Sequence, residues 1–160
     1  MKKTLKFTTI TLLLSILLLA SNAYPVCAAQ PTINKIQISP DLYCITEIYE
    51  ETPSSLNVFS STQTKSGSKT VRYENASGTT LWYVKVTASF TYNGSSSTCT
   101  SASVTADSHS SNWSVSNKSS WKSGDTGYAS ATGHLHSGGE IVQTISRTVS
   151  LKCSNTGVLQ

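Results

Sequence analysis

Residues 81–104, LWYVKVTASFTYNGSSSTCTSASV, decide how the rest of the chain is read. Along the first half Trp82, Val84, Val86, Ala88, Phe90 and Tyr92 fall on one face, and Tyr83, Lys85, Thr87, Ser89 and Thr91 on the other. A period of two is that of a half-buried strand. Asn93-Gly94 then supplies residues that tolerate the positive φ angles of a two-residue type I′ turn. The stretch predicts a β-hairpin.

The same grammar of strand and tight turn continues on both sides. Upstream, Thr70-Val71-Arg72-Tyr73 is a short strand, and Asn75-Ala76-Ser77-Gly78 a turn that leads into the hairpin's first arm. The second arm carries Cys99, Ala102 and Val104, and residues 107–112 form a loop. A strand starts at Trp113 and reaches towards Trp121, Ser123-Gly124-Asp125 turns, and residues 126–136 are a strand of small residues. After Ser137-Gly138-Gly139, the final strand over 140–153 places Ile141, Ile145, Val149, Leu151 and Cys153 on one face. Gln143 and Arg147 interrupt that face, which points to a bulge or an exposed end. Short strands separated by turn signals mean an antiparallel β-sandwich, immunoglobulin-like or similar, of about six to eight strands. Its expected core is Trp82, Val84, Val86, Phe90, Val104, Val115, Ile141, Ile145, Val149 and Leu151.

Residues 30–66 are less regular and read as a poorly structured N-terminal segment and linker ahead of one sandwich domain over 67–157. Within them Ser39-Pro40-Asp41 suits the start of a short helix with Leu42, Ile45, Ile48 and Tyr49 on one face. The wealth of Ile, Tyr and Thr there suits an edge strand almost equally.

The chain opens with Met1-Lys2-Lys3 and Lys6, runs through an apolar block from Ile10 to Ala20, and reaches small residues at Ala23 and Ala28-Ala29. This is the pattern of a secretory signal peptide over residues 1–29, cleaved near Ala28 or Ala29. The apolar block is too short for a stable membrane span, and no second one follows. The formal charge of +4 includes Lys2, Lys3 and Lys6; without them nine basic residues face eight acidic ones. No basic stripe remains for nucleic acid. Few side chains are charged (12%), a composition that suits exposed strand faces rather than helices.

Cys27 leaves with the signal, so Cys44, Cys99 and Cys153 remain. In an exported protein Cys99 and Cys153, on the second hairpin arm and the last strand, are expected to form a disulfide, with Cys44 unpaired or cross-linked between molecules. Closing so long a loop is worth roughly 4 kcal/mol in chain entropy. The alternative is that they are small buried apolar side chains.

Three constellations bear on chemistry. His134-Leu135-His136 on a strand directs two imidazoles to one side, a weak metal site that needs a third ligand from His109, Asp107 or Glu140. Serines abound, yet none lies in a Gly-x-Ser-x-Gly setting, and no carboxylate pair is marked by its surroundings, so no catalytic residue and no cofactor is assigned. Trp121, Tyr128 and Trp113 offer aromatic rings on a Ser/Thr-rich surface, where they can stack on sugars or partner side chains. For Trp113, beside Val115, a place in the core is the stronger reading, and Trp121 is the better surface candidate.

The lysine-led signal together with WYVKVTASFTYNGSSSTCTSASV, SNWSVSNKSSWKSGDTG and GGEIVQTISRTVSLKCSNTG resembles small secreted all-β proteins of unknown function from Gram-positive, clostridia-like bacteria. The resemblance spans roughly residues 67–157 and implies secretion, an all-β domain and pairing of two cysteines. It carries over no activity. The expected function is a non-catalytic secreted module that binds a carbohydrate, cell-wall polymer or surface protein. A self-assembling surface protein that pairs through exposed strand edges is the alternative, and a small metal-dependent enzyme using His134 and His136 comes third.

Overall fold

The computed structural model describes residues 30–51 and 62–160. The expected signal peptide over residues 1–29 and residues 52–61 of the expected linker lie outside them. Among the described residues eight strands form: β1 (Thr32–Ser39), β2 (Leu42–Glu50), β3 (Gln63–Glu74), β4 (Thr80–Tyr92), β5 (Ser97–Ser108), β6 (Trp113–Ser123), β7 (Thr126–Ser137) and β8 (Glu140–Lys152). They make a five-stranded sheet in the order β1-β2-β3-β4-β5 and a three-stranded sheet in the order β6-β7-β8. Every neighbouring pair is antiparallel. The protein is an all-β sandwich, as the alternation predicts.

Of the two readings of the segment around Pro40, the strand is the one formed. β1 and β2 make a hairpin with Ile36 opposite Cys44 and Asn34 opposite Thr46, and β2 pairs along β3. β-branched and aromatic side chains outweigh the helix-start signal because a neighbouring strand satisfies their backbone.

The core lies between the sheets. Trp82, Val84, Val86, Ala88 and Phe90 of β4 point inward and are fully buried, as their alternation requires. Opposite them β7 presents Gly127, Ala129, Ala131 and Gly133, and this run of small residues has a packing cause. A Cβ on Gly133 would run into the Trp82 ring, and one on Gly127 would sit 2.8 Å from Ala88 Cβ. The large side chains of β4 occupy the space that β7 leaves. Val149 and Leu151 of β8 complete the interior, with Val104, Val115 and Ile145 half-buried around it.

Three expectations need correction. Ile141 is 54% exposed rather than in the core. A register shift after Leu135 pairs it with His136 and turns it to the outer face, so the irregularity signalled by Gln143 is a bulge. The hairpin connection is not a two-residue type I′ turn: β4 ends at Tyr92 and β5 begins at Ser97. Only Gly94 has positive φ there, while Asn93 Oδ1 accepts bonds from the Ser95 and Ser96 amides. The asparagine side chain shapes a longer loop, an alternative that the Asn-Gly pair alone does not separate from the tight turn. Finally, Cys99 and Cys153 are not joined; with Cys44 they are buried free thiols.

Candidate functional site

The outer face of the three-stranded sheet gathers most of the residues singled out from sequence. Outward positions on β7 are Thr126, Tyr128, Ser130, Thr132, His134 and His136. Their partners are Ser123, Trp121, Ser119, Ser116 and Ser114 on β6, and Lys152, Ser150, Thr148, Ser146, Thr144 and Ile141 on β8. Lys152 is the only Asp, Glu, Lys or Arg among these; it sits at the Trp121 end and pairs with Asp125 of the β6–β7 turn. Side-chain hydrogen bonds knit the face laterally. Ser119 and Ser130 hydroxyls lie 2.9 Å apart, and Thr132 and Ser146 hydroxyls 3.1 Å. His134 bonds the Ser116 hydroxyl through Nε2 and the Thr144 hydroxyl through Nδ1, at 2.8 and 3.0 Å. His136 Nε2 meets the Ser114 hydroxyl at 2.8 Å. Such pairing holds hydroxyls in fixed positions while each oxygen keeps lone pairs for a ligand.

At one end of this face Trp121 and Tyr128, directly opposite in register, stack with ring centroids 5.1 Å apart and planes within 3°. Trp121 is 44% exposed. A cross-strand aromatic pair of this kind holds its own geometry, so the ring is presented to solvent without needing a ligand to order it.

Trp113, the third aromatic candidate, is not on this surface. It is only 6% exposed and faces the core, its ring 6.3 Å from that of Trp82. The two imidazoles do point the same way, as expected of residues two apart on a strand. Their proposed companions do not join them. His109 packs edge-on against Tyr83 at 5.5 Å, Asp107 pairs with Tyr83 on the other sheet, and Glu140 pairs with Ser137 at the β7–β8 turn. Among the described residues no group of three or more His, Cys, Asp or Glu is placed to hold a metal ion.

No family model, curated protein or solved structure matches the chain.

The outer face of the five-stranded sheet is built differently. There Arg72 bonds the carboxylates of both Glu47 and Glu74, and Lys35 reaches Glu74 at 3.7 Å, whereas Lys65 and Glu50, opposite Phe90 and Gly67, pair at 2.6 Å on the inner side of the sheet. Lys35 also lies 4.5 Å above the Tyr43 ring. Under these long side chains Ile45 is only 2% exposed although it points away from the core. Aliphatic stems of Lys and Arg shield it while their heads remain in water. Sequence reasoning missed this network; alternating Glu and Arg on adjacent strands was its available signal, once the pairing of β2 with β3 is known.

The remaining chemistry is quiet. Burial pushes the Cys44 and Cys99 thiols up, so neither is an activated nucleophile. Asp125, at the β6–β7 turn, is held below the usual carboxylate range, first by the Thr126 hydroxyl that donates to it at 2.8 Å and also by Lys152 at 3.4 Å. No helix among the described residues is long and apolar enough to cross a membrane.

Proposed function

We propose that this is an exported, non-catalytic carbohydrate-binding module, with the outer face of β6–β7–β8 as its glycan surface and Trp121 as its anchor. The observation that carries the reading is the exposed Trp121–Tyr128 stack at the end of a face of tethered hydroxyls and imidazoles whose one charged member, Lys152, is paired with Asp125. Sugar rings present apolar C–H faces that stack on aromatic rings, and equatorial hydroxyls that exchange hydrogen bonds with Ser, Thr and His. A face with a single, paired cation favours a neutral polysaccharide or the glycan strands of a cell wall over an anionic polymer, which calls for several free Lys and Arg. The signal-like N-terminus supports action at the cell surface or in the medium.

The test is binding of the processed protein to insoluble neutral polysaccharides and isolated Gram-positive cell wall, read by depletion and tryptophan fluorescence. Trp121→Ala should weaken saturable binding at least about tenfold, as removal of a stacking anchor does. Equal binding by wild type and variant, or no saturable binding to any of these materials, overturns the reading.

A further inference from the structure

The two sheets are of unequal width, and the mismatch leaves a groove. β1 and β2 extend the five-stranded sheet beyond β8, the outermost strand of the smaller one. On the inner face of this overhang Ile36 pairs with Cys44 and is nevertheless 59% exposed, while Ile48 is half-buried. The floor continues through Tyr73 and Lys69 of β3, and the wall is the free edge of β8. Arg147 of β8 points into the same space, since it pairs with inward-facing Ala131, and its charge acts on Cys44, Lys69 and Tyr73. The floor, which also carries Asn34, Thr46 and the mutually paired Glu50 and Lys65, thus holds two further cations beside Ile36 and Ile48, and among the described residues neither Lys69 nor Arg147 has a carboxylate within ion-pair distance.

The edge of β8 already accepts a strand at one end. Lys152 and Gln160 exchange backbone hydrogen bonds at 3.1 and 2.9 Å, and Cys153 forms an antiparallel bridge with Leu159, which is buried over Gly67. Because Lys152 turns its amide and carbonyl to this edge, the alternation of an antiparallel strand turns those of Ser150, Thr148 and Ser146 the same way. Among the described residues no other backbone hydrogen bond reaches these groups. Among the described residues an open edge thus lies beside a floor whose apolar part, Ile36 and Ile48, is left uncovered or half-covered, which is the geometry of strand addition.

We propose that this groove takes an extended segment of another protein, added antiparallel to β8, with the pattern apolar-x-acidic-x-apolar and its acidic side chain opposite Arg147. The segment's backbone pairs with Ser146, Thr148 and Ser150. Its inward carboxylate neutralises Arg147 and Lys69, and its apolar neighbours cover Ile36 and Ile48. A second copy of this chain fits less well, because the exposed edge strand β1 carries Lys35 and no carboxylate. The groove lies on the opposite side of the smaller sheet from Trp121, so the inference stands apart from glycan binding.

The probes are two fluorescein-labelled decapeptides that alternate Val with Ser and differ only in one central inward residue, Glu or Lys. Measured by anisotropy on the processed protein, the Glu peptide should bind at least about tenfold more tightly than the Lys peptide, since a like charge set against a cation costs affinity. Lys69→Glu with Arg147→Glu should reverse the order, and Arg147→Gln, a milder change, should narrow it. Hydrogen exchange at the Ser146, Thr148 and Ser150 amides should slow with the Glu peptide bound. Equal affinity for the two peptides, no binding of either to folded wild type, or a concentration-dependent dimer that excludes them would overturn the proposal.

Discussion

Two aromatic stacks share strand β6 and have opposite fates. Inside, Tyr73, Trp82 and Trp113 form a column with centroid spacings of 4.7 and 6.3 Å; outside, Trp121 and Tyr128 stack at 5.1 Å. Trp113 and Trp121 are an even number of residues apart, so a regular strand would put both on one face. Between them the register with β7 slips by one, from Ser116 opposite Thr132 to Ser119 opposite Ser130, and Asn117 takes φ of 51°. That bulge sends one tryptophan into the core and the other to solvent. Residue type does not decide which aromatic ring is structural and which is free to bind; one inserted residue does.

The contrast can be broken first from the inside. Trp82→Ala should cost about 3–5 kcal/mol, as truncation of a fully buried aromatic does, whereas Trp121→Ala should change stability by no more than about 0.5 kcal/mol. Urea unfolding followed by far-UV circular dichroism compares them, and similar losses for both would contradict the division into two stacks. A smaller effect is expected at the bulge itself. Asn117→Val places a β-branched side chain at positive φ and should cost about 1–2 kcal/mol, while Asn117→Gly should be nearly neutral; equal melting temperatures for the two variants would show that the bulge does not depend on this backbone angle. The smallest effect lies at the turn just beyond Trp121. Asp125 has its folded pKa lowered, so its contribution is present above the ordinary carboxylate range and is lost as pH falls through that range to the lowered value. The melting-temperature difference between wild type and Asp125→Asn should therefore shrink on acidification, and a constant difference would remove this linkage.

Much of the fold was legible because residues 82–92 of β4 and 126–136 of β7 keep period two, and burial enforces their register. What escaped is what a one-dimensional pattern does not carry. The bulges in β6 and near His136 reverse parity, so Trp113 and Ile141 each take the face opposite to one reading of them. Ile45 is buried on an outer face because strands distant in sequence bring Lys35 and Arg72 across it. Of the candidate site, Trp121, Tyr128, His134 and His136 were visible as residues. Their assembly with Ser114, Ser116 and Thr144 into one hydrogen-bonded face was not, since that needs the pairing of three strands.

The strictly sequential strand order also sets how the chain finds its structure. Within each sheet, every strand pairs with the one made just before it, so both sheets can grow hairpin by hairpin, the longest connection to close being residues 51–62 between β2 and β3. The distant encounter is the docking of one finished sheet on the other, where Trp82 settles against Gly133. Folding should then resemble two fast local assemblies followed by one slow collision, with sheet docking rather than strand pairing setting the rate.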